Sequence, residues 1–486
     1  MGAATWRLQI DDSVGPIVEV DQSTSKKILR LLNLKQQAPG RDNLQVRVVR
    51  SASVMVVLVA VLVIFLASTN APTMTSAKSQ NASSSQPGVT RTSINVGALA
   101  TLSGPLAADF AAIVPGVRAY FSYVNARGGV NGRSVNLTHV VDDGGVPSNN
   151  ANGARTLVQQ DKVFAVVGMA SFFFTAEPYL AQTGTPTFGY ATQNDWAGPL
   201  NLFGAYGSVI NNDTAGPAFA FIAERTHAHS IGLMAYGVPQ SAGVCQVAER
   251  ELRKVGFHIG FVDLNAPLGG DLTPDALRMK KANVDLLMSC MDVNGNVQIA
   301  RAMYQNGMSN FSQFWLDGYN SSTLKQYSSI MKKTYFMVQH VPFQAPAEFP
   351  GGFPGVATYL AAMKKYASQD VQSEVAMEGW ISAATFVEGL RAAGPNPTQA
   401  AVVKEINKLP NFTADAVMSP VAWTVSHTKV LEPSCESYVE TGMTGHGTPN
   451  FHVVFNKGTN IWVCFNYQGP LDVHHPVPPP KGAPGT

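Results

Sequence analysis

The sequence predicts an α/β fold made of two doubly wound lobes joined by a hinge, each a parallel sheet covered by helices. Short, nearly continuous apolar runs alternate with amphipathic segments, as buried parallel strands and their crossover helices require. This alternation starts near Ser93 and starts again beyond residue 206. A chain of 486 residues is also too long for one core and suggests two or three folded units.

The first lobe is predicted to open with a strand, a turn and a helix. The stretch 94–107 starts as a short apolar strand and runs into a Ser-Gly-Pro turn, and residues 125–133 hold a glycine-rich turn before the next strand. This βαβ opening predicts parallel strands whose ends face a ligand. Further strands are expected at 134–141, 164–168 and 185–190, and helices at 152–160 and 175–182.

The second lobe repeats this alternation. Strands are expected at 230–235, 258–264, 284–289, 313–316 and 335–341, and helices at 214–225, 242–255, 274–282 and 297–305. Two similar lobes are the simplest account, since each then falls in the usual size range of a domain. Helices at 359–366 and 376–393 are expected to pack back on the first lobe.

These assignments divide the chain into eight segments. We expect a cytoplasmic or leader segment (1–50), a signal or membrane-anchor helix (51–70), a flexible linker (71–91), the first part of lobe 1 (92–205), the first part of lobe 2 (206–341), a segment that mostly returns to lobe 1 (342–448), C-terminal strands (449–467) and a disordered Pro-rich tail (468–486). The linker assignment rests on its Ser-rich composition.

An apolar run near the N-terminus indicates export. Residues 54–67 are almost wholly apolar and, as a helix, would span about 21 Å, against a hydrocarbon core of about 30 Å. Arg41, Arg47 and Arg50 precede the run, so the N-terminus should stay in the cytoplasm. The run is then an uncleaved membrane anchor, a cleaved signal or a signal peptide whose true start lies nearer to it. No cysteine follows it closely, which argues against a lipid anchor.

The four cysteines are an even number in an exported chain, which predicts disulfides. Three pairings are possible in principle. Cys435 and Cys464 flank the C-terminal strand region and are the preferred pair, which leaves Cys245 and Cys290 as the second pair. A metal site is the alternative, but the spacing Cys-x-x-Cys that favours it is absent.

The composition and the motif search exclude several classes of function. The net charge is +2 with no dense basic patch, so no nucleic-acid partner is expected. The sequence contains no G-x-S-x-G, no H-E-x-x-H and no phosphate-binding loop, so we expect neither an enzyme nor a cofactor or metal. The pair Asp142 and Asp143 is interpreted as turn and capping chemistry.

Three loops of the first lobe are candidates for binding a ligand. Each follows a predicted strand, and ligands of parallel α/β sheets bind beyond the carboxyl ends of the strands. Helix N-termini there carry free N–H groups that favour carboxylates. The candidate residues are Ser103, Ala170, Ser171, Phe172, Tyr190, Ala191 and Thr192. The alternative is that Ser103 and Ser171 are only helix N-caps.

Several motifs, in order, resemble one family. They are Leu-Ser-Gly-Pro-Leu at 102–106, Val-Asn-Ala-Arg-Gly-Gly-Val-Asn-Gly-Arg at 124–133, Val-Asp-Asp at 141–143, Phe-Ala-Val-Val-Gly at 164–168 and Phe-Trp-Leu-Asp-Gly at 314–318. The chain resembles the solute-binding proteins of the branched-chain amino-acid type, with the periplasmic-binding-protein type 1 fold. The resemblance covers residues 93–467.

The resemblance also implies a site. In the amino-acid binders of this family, positions nearest to Ser171 or Phe172 and to 190–192 hold the carboxylate and ammonium of the substrate. Asp317 falls in the turn whose acidic residue completes the ammonium site.

Three positions depart from the family pattern. Asp109 follows Ala108 where a cleft aromatic is common, Gln240 occupies the aromatic position of the second lobe, and Asp292 lies in the turn after residue 289. Asp109, Asp292 and Asp317 together would make an acidic cleft, which disfavours an anionic ligand. The three phenylalanines at 172–174 fit either core packing or an apolar wall of the cleft.

The resemblance implies an extracytoplasmic solute-binding protein, anchored to the membrane or secreted. It would capture a small polar or amphipathic molecule, amino acid-like or amide-like, between its lobes and deliver it to the permease of an ABC transporter. The alternative is a membrane-anchored sensor of the same fold that reports its ligand to a partner protein.

Overall fold

A computed structural model describes residues 6–8, 18–20, 86–209, 215–368, 371–466 and 472–486. The expected anchor or signal helix at 51–70 and most of the expected linker lie outside these residues. Near the N-terminus, strands β1 (Trp6–Leu8) and β2 (Val18–Val20) form an antiparallel pair. Within the described ranges, every helix is too short or too polar to cross a membrane.

The first sheet has five parallel strands in the order β4-β3-β5-β6-β7. Its strands are β3 (Ser93–Ala100), β4 (Ser134–Asp142), β5 (Val166–Ala170), β6 (Thr187–Gly189) and β7 (Leu202–Gly204). Every residue of β5, β6 and β7 is buried, as expected for strands covered on both faces. The three-residue β7 was not predicted from the sequence.

Helices connect these strands. They are α1 (Ala107–Phe110), α2 (Ile113–Asn125), α3 (Pro147–Arg155), which continues as a π-helical turn (Thr156–Gln160), and α4 (Glu177–Thr183), followed by a 3₁₀ turn (Asn194–Trp196). The predicted helix at 152–160 therefore starts five residues earlier, at Pro147, because proline is favoured in the first helical turn.

The second sheet repeats this winding and is then extended. Its strands are β8 (Ile231–Tyr236), β9 (Ile259–Ala266), β10 (Leu286–Ser289), β11 (Ser312–Trp315), β12 (Thr334–Val338), β13 (Ser434–Met443), β14 (Pro449–Val454) and β15 (Val463–Phe465). The parallel strands follow the order β9-β8-β10-β11-β12. β13 is antiparallel to β12, and β14 and β15 each pair antiparallel with β13.

One helix of the second sheet precedes β8, and one further helix follows each of β8, β9, β10 and β11. They are α5 (Ala215–Arg225), α6 (Pro239–Lys254), α7 (Thr273–Lys281), α8 (Val293–Gln305) and α9 (Ser321–Tyr327). The apolar faces of α5 and α6 pack on the sheet around buried Phe219, Phe221 and Leu252. This burial, rather than helix propensity, is the main source of helix stability.

The chain then returns to the first sheet with four helices. They are α10 (Ala345–Glu348), α11 (Pro354–Tyr366), α12 (Glu374–Ala393) and α13 (Gln399–Ile406). Helix α12 packs closely on α2 through glycine. A Cβ atom at Gly116 would lie 1.9 Å from the Ala376 carbonyl oxygen, so only glycine allows this approach. Tyr120 and Trp380 fill the rest of the contact edge to face, with ring centroids 4.7 Å apart.

The chain passes from the first sheet to the second after β7, returns after β12 and passes again before β13. The connecting segments lie side by side. The backbone N–H groups of Ser208 and Val209 donate to the Ser426 carbonyl at 3.1 and 3.2 Å, and that of Val341 donates to the Val417 carbonyl at 2.8 Å. These hydrogen bonds join the crossing segments to one another.

Two disulfides are present, in the pairs preferred from the sequence. Cys245 in α6 is joined to Cys290, the residue after β10, and Cys435 in β13 is joined to Cys464 opposite it in β15. The first disulfide therefore links a helix to the carboxyl end of a central strand, where site loops begin.

The Pro-rich tail, expected to be disordered, has defined contacts over 472–486. Val477 forms a backbone bridge with Cys464, and the indole Nε1 of Trp462 donates to the Pro484 carbonyl at 2.8 Å. Val473 and Ala483 are buried. Proline restricts the unfolded chain, so ordering such a segment costs less conformational entropy than its composition suggests.

Candidate functional site

The two sheets each contain a point where the winding reverses. Strand β3 lies between β4 and β5, and β8 lies between β9 and β10. In open α/β sheets ligands bind in the crevice outside the carboxyl ends of the strands at such points. The candidate site is therefore built from the loops after β3, β5, β8 and β10.

The loop after β5 holds Ser171 inside the first sheet. Thr101 N donates to the Ala170 carbonyl at 2.9 Å, and Thr101 Oγ1 lies 2.7 Å from Asp143 Oδ1 and 3.2 Å from Ser171 Oγ. Phe173 N also donates to Ser171 Oγ, at 3.3 Å. Ser171 lies at the predicted strand end, but its hydroxyl is buried and engaged by its own loop.

Ser103 belongs to a turn instead of to the inner site. Its hydroxyl and the backbone N–H groups of Leu102 and Gly144 hydrogen-bond to Asp142. Although partial burial acts in the opposite direction, these hydrogen bonds lower the pKa of Asp142. Asp143 Oδ1 likewise accepts from Gly145 N at 2.8 Å. The paired carboxylates thus serve the turn chemistry expected from the sequence.

The loop after β6 carries the next group of predicted residues. Gln193 Nε2 donates to the carbonyls of Ser171 at 2.7 Å and Phe172 at 2.9 Å, which ties this loop to the loop after β5. Thr192 Oγ1 is buried and finds no hydrogen-bond partner among the described residues. Ala191 and Thr192 are half-buried at the sheet edge.

The three consecutive phenylalanines divide between core and site. Phe174 is buried against Trp196, with ring centroids 4.6 Å apart, and belongs to the core. Phe172 is half-buried in a separate apolar cluster with Ala170, Phe110 and Tyr190. The Tyr190 ring lies 5.9 Å from that of Phe110. Core packing is therefore observed for Phe174, while a role of Phe172 as an apolar wall of the cleft stays a prediction.

Loops of the second sheet contribute Tyr236 and Asp292. Tyr236 ends β8, and its hydroxyl donates to Asp292 Oδ1 at 2.6 Å. The same oxygen accepts from Gly295 N at 2.8 Å, so Asp292 also caps helix α8. Gln240 lies half-buried in the first turn of α6 and takes part in none of these contacts.

A hydrogen bond joins the loops of the two sheets. Asn294 Nδ2 in α8 donates to the Pro105 carbonyl, in the loop after β3, at 3.2 Å. Four residues beyond Pro105, Asp109 in α1 lies near Asp292 and Asp317 of the second sheet. The two reversal points therefore face one another.

Asp109 is a buried carboxyl surrounded by other carboxyls. Burial and the neighbouring carboxylates of Asp317 and Asp292 raise the pKa of Asp109 to about 9. The Asp317 carboxyl and the Val293 N–H lie close enough to influence its ionisation, yet neither oxygen of Asp109 makes a well-formed hydrogen bond with a described residue. Asp109 is thus a buried carboxyl whose two oxygens lack a well-formed hydrogen bond within the described residues.

Asp317 lies in the turn after β11. Asn296 Nδ2 donates to its backbone carbonyl at 3.1 Å and so fixes the turn to α8. Burial, and then the charge of Asp292, raise the pKa of Asp317 to about 6. Asp317, the acidic residue that the family resemblance implies, therefore lies where loops of the two sheets meet.

Helix α12 brings two further carboxyls. Glu374 and Glu378 are one turn apart, and burial together with the charge of Asp317 raises the pKa of both well above the ordinary value. Glu374 adds to the rise at Glu378. Glu378 Oε2 is buried and finds no hydrogen-bond partner within the described part of the chain. The acidic cluster thus comprises Asp109, Asp292, Asp317, Glu374 and Glu378.

Two tyrosines border this acidic cluster. Burial, followed by the charges of Glu378 and other members of the cluster, raises the pKa of Tyr190 and of Tyr206 well above the ordinary value. The hydroxyl of Tyr206 has no hydrogen-bond partner among the described residues. Aromatic surface therefore lies beside the carboxyls.

The structure brings together part of the predicted set. Tyr190, Asp292 and Asp317 meet at the acidic cluster, and Ala170, Ser171, Phe172, Ala191 and Thr192 line the adjoining edge of the first sheet. Ser103 and Gln240 take no part in these contacts.

Sequence reasoning missed Tyr206, Tyr236, Glu374 and Glu378. A signal was present for the two glutamates: they stand four apart at the start of a helix whose following residues, 379–387, are uncharged and buried, a setting where a charged residue is unusual. Tyr236 is the last residue of an apolar parallel strand, a position that also faces ligands.

A separate surface cavity of about 390 Å³ is lined by Glu388 and residues 409–415. Glu388 is fourteen residues beyond Glu374 on α12, or about 21 Å along the helix axis. This cavity therefore lies at the other end of the helix from the acidic cluster.

The fold and the site define an α/β ligand-binding protein whose site lies where two wound sheets meet. Residues 93–433 match the model of a family described as periplasmic binding protein, and the chain belongs to this family. The resemblance recognised in the sequence is thereby confirmed. Among curated protein sequences, none matches the chain at a significant level.

Solved structures share the fold. A fatty acid ABC transporter substrate-binding protein from Thermomonospora curvata is 17% identical, with a TM-score of 0.63, over 81% of this chain and 96% of that one. The branched-chain amino acid transporter substrate binding protein LivJ from Streptococcus pneumoniae, in complex with isoleucine, is 18% identical, with a TM-score of 0.61, over 74% and 99%. A branched chain amino acid ABC transporter from Thermus thermophilus with bound valine is 16% identical, with a TM-score of 0.62, over 74% and 95%.

Proposed function

We propose that this protein is an extracytoplasmic solute-binding protein that captures a small molecule between two lobes. The first lobe is built on the first sheet with α11 and α12, and the second lobe on the second sheet. The crossing segments near Ser208, Val341 and Ser426 serve as the hinge. The solute is then delivered to the permease of an ABC transporter.

One observation carries this proposal: side chains from both sheets converge on one buried polar cluster. Asp109 comes from the first sheet, Asp292 and Asp317 from the second, and the Asn294–Pro105 hydrogen bond joins the two sides. Buried polar groups ordinarily have hydrogen-bond partners, and exceptions in a native protein call for an explanation. A solute that supplies those partners is the explanation we favour.

Lobe closure follows from this arrangement. A solute that first contacts the loops of one lobe gains further contacts when the other lobe approaches, so it binds the closed form more tightly. It therefore shifts the equilibrium between open and closed forms by its difference in affinity for the two. Tyr190, Thr192, Asp292 and Asp317 are the predicted residues that we place in contact with the solute.

Two further features support transport over other roles. The chain belongs to the periplasmic binding protein family, whose location is extracytoplasmic. Structures of the same fold are named as ABC transporter substrate-binding proteins for fatty acids or branched-chain amino acids. Anchoring by residues 51–70 remains part of the proposal and lies outside the described residues.

Native mass spectrometry and small-angle scattering test this proposal together. Protein purified from its own source is expected to carry a small molecule that mass spectrometry identifies. Removing that molecule by dialysis under mild denaturation, and then restoring it, should increase and then decrease the radius of gyration. Unchanged dimensions in the presence of a tightly bound solute would exclude the hinge mechanism.

A further inference from the structure

We propose that the solute is an organic cation that carries N–H groups on its charged nitrogen and has no carboxylate, such as a primary amine or a guanidine. Asp109, Asp317 and Glu378 hold its charged end. This inference rests on the proposed function and gives that same site a substrate class.

The charge of the site is the first argument. Carboxyls reach the acidic cluster from α1, from the turns after β10 and β11 and from two positions of α12. The charged neighbours that shift their pKa values are other carboxyls, and no Lys, Arg or His of the described chain is among them. Without solute these carboxyls are kept neutral by protons, and to ionise they need a counter-charge from elsewhere, because an unpaired buried charge is costly.

Unpartnered acceptors are the second argument. The Asp109 side chain is buried to 5% exposure, and both of its oxygens lack a well-formed hydrogen bond with any described residue. Glu378 is buried to 2% exposure, and its Oε2 also lacks a hydrogen-bond partner among the described residues. A tetraalkylammonium ion would supply charge but no donor. An ammonium or guanidinium supplies both, since hydrogen bonds between ionised groups are the strong ones.

The third argument disfavours a carboxylate on the solute. The resemblance places the substrate carboxylate and ammonium near Ser171 or Phe172 and near 190–192, but here the Ser171 side chain is buried and its Oγ accepts hydrogen bonds from Thr101 Oγ1 and Phe173 N. A solute carboxylate would also lie beside a group of five carboxyls. Like charges repel strongly where the dielectric constant is low.

A bare metal ion does not fit the cluster. A metal site needs several ligands on one point at about 2–2.6 Å. Within the described residues, no three His, Cys, Asp or Glu side chains are arranged to hold a metal ion. Carboxyls distributed over two sheets and a helix suit an extended cation with several N–H groups.

The border of the cluster suits the carbon skeleton of such a cation. Phe110, Phe172 and Tyr190 form an apolar cluster with half-buried members, and Tyr206 lies beside Glu378. Aromatic faces also attract cations that lie over them. An alkyl chain can therefore lie against the rings while the charged nitrogen reaches the carboxyls.

Binding of chemically matched probes tests the inference. Isothermal titration calorimetry on the solute-free, full-length exported protein compares 3-methylbutylamine, L-leucine and 4-methylpentanoic acid, which share one skeleton. Agmatine with L-arginine and cadaverine with L-lysine extend the comparison to longer cations. We expect at least one amine or guanidine to bind ten-fold or more tightly than its matched amino acid, and the acid not to bind.

Isosteric variants identify the residues. Asp109→Asn and Glu378→Gln should each weaken the tightest amine or guanidine ten-fold or more. Both should raise the melting temperature of the solute-free protein at pH 8, because each removes a buried carboxyl that must take up a proton on folding. Glu388→Gln, on the same helix but beside the separate cavity, is the matched control and should leave affinity unchanged. Unchanged affinity in Asp109→Asn and Glu378→Gln would overturn the inference.

The possible failures are distinguishable. If an amino acid binds as tightly as its amine, or if only the carboxylic acid binds, the substrate class is wrong while solute capture stands. If none of the amines or guanidines binds, the class is also wrong, and compaction with the co-purified solute decides the proposed function separately. A co-purified solute that is anionic overturns the inference in the same way.

Discussion

Asn294 and Pro105 join the two wound sheets directly: the side-chain amide of Asn294 donates to the Pro105 carbonyl at 3.2 Å. Asn294 is exposed and lies in the first turn of α8, two residues after Asp292, which caps that helix. Pro105 precedes α1, which presents Asp109. The contact therefore holds together the two segments that carry facing carboxyls.

Replacing Asn294 should favour the open form. Asn294→Ala removes the neutral hydrogen bond between the two sheets, worth about 0.5–1.5 kcal/mol, so the closed fraction should fall about 2- to 10-fold relative to the open one. It also removes the 3.2 Å hydrogen bond from Asn294 Nδ2 to Asp292 Oδ2, which lies within the second sheet's own loop and is present in both forms. Small-angle scattering of the solute-loaded protein should report a larger radius of gyration. Asn310→Ala is the control, because Asn310 is an exposed asparagine of the second lobe whose side chain accepts a hydrogen bond from Lys333 Nζ at 3.1 Å. Equal dimensions in both variants would contradict the prediction.

The stability of the solute-free protein should fall as the pH rises. Asp109 has its pKa raised from 3.8 to about 9, so the folded protein holds this proton where the unfolded chain has lost it. A folded state that binds more protons loses stability with increasing pH, here between about 4 and 9. Asp317, with a pKa raised to about 6, adds to the decline in the lower part of this range.

Melting temperatures measured from pH 5 to pH 9 check this expectation. The titratable groups that face Asp109 are Asp292, Asp317 and Tyr236 from the second sheet and Tyr190 from the first, and they remain in every variant. Asp109→Asn should show a shallower decline than the unsubstituted protein. A decline of the same slope in Asp109→Asn would show that Asp109 does not hold a proton at neutral pH.

The two disulfides should differ in their effect on the site. Removing Cys245–Cys290 by a double Ala substitution should lower the free energy of unfolding by about 2–4 kcal/mol. It should also weaken solute binding, because Ser241 Oγ donates to the Cys290 carbonyl at 2.6 Å and so supports the loop that leads to Asp292. Chemical denaturation and titration calorimetry measure the two effects.

The other disulfide is the matched comparison. Cys435–Cys464 joins β13 to β15, and none of the residues assigned to the site lies on either strand. Its double Ala variant should lose stability and keep its affinity for the solute. Loss of affinity in this variant alone would contradict the role given to the loop after β10.

Packing of α2 on α12 should depend on glycine. Gly116→Ala would place a methyl group 1.9 Å from the Ala376 carbonyl oxygen, so the helices must separate. Overpacking of this kind costs about 1–3 kcal/mol. Urea denaturation should show that loss for Gly116→Ala and almost none for Gly445→Ala, where a new Cβ meets no atom within 4 Å. Equal stability of the two would disprove the close approach.

Most of the parallel strands could be predicted from the sequence. The strands expected at 94–99 and 134–141 are observed as Ser93–Ala100 and Ser134–Asp142, since apolar runs between turn residues are a strong signal. The ten-residue β13 (Ser434–Met443) was missed, because its Cys-Glu-Ser start is polar and it pairs antiparallel at the side of the sheet. Its burial depends on contacts with β12 that no local pattern reveals.

The site could be predicted only where it follows strand ends. Asp292 and Asp317 stand directly after apolar strands, so their place at the carboxyl edge was readable from the sequence. Glu374 and Glu378 come from a helix near the other end of the chain. Their approach to Asp317 results from the return of the chain to the first sheet, which depends on tertiary packing.

If the two lobes move as proposed, their facing carboxyls also determine how the solute-free protein behaves. Shutting the cleft while it holds nothing brings negative groups together, and this requires proton uptake or is opposed by repulsion. A permease that recognises the closed form would then rarely bind solute-free protein, and least often at alkaline pH. The same repulsion that destabilises the acidic cluster in the absence of solute would make docking to the permease depend on bound solute.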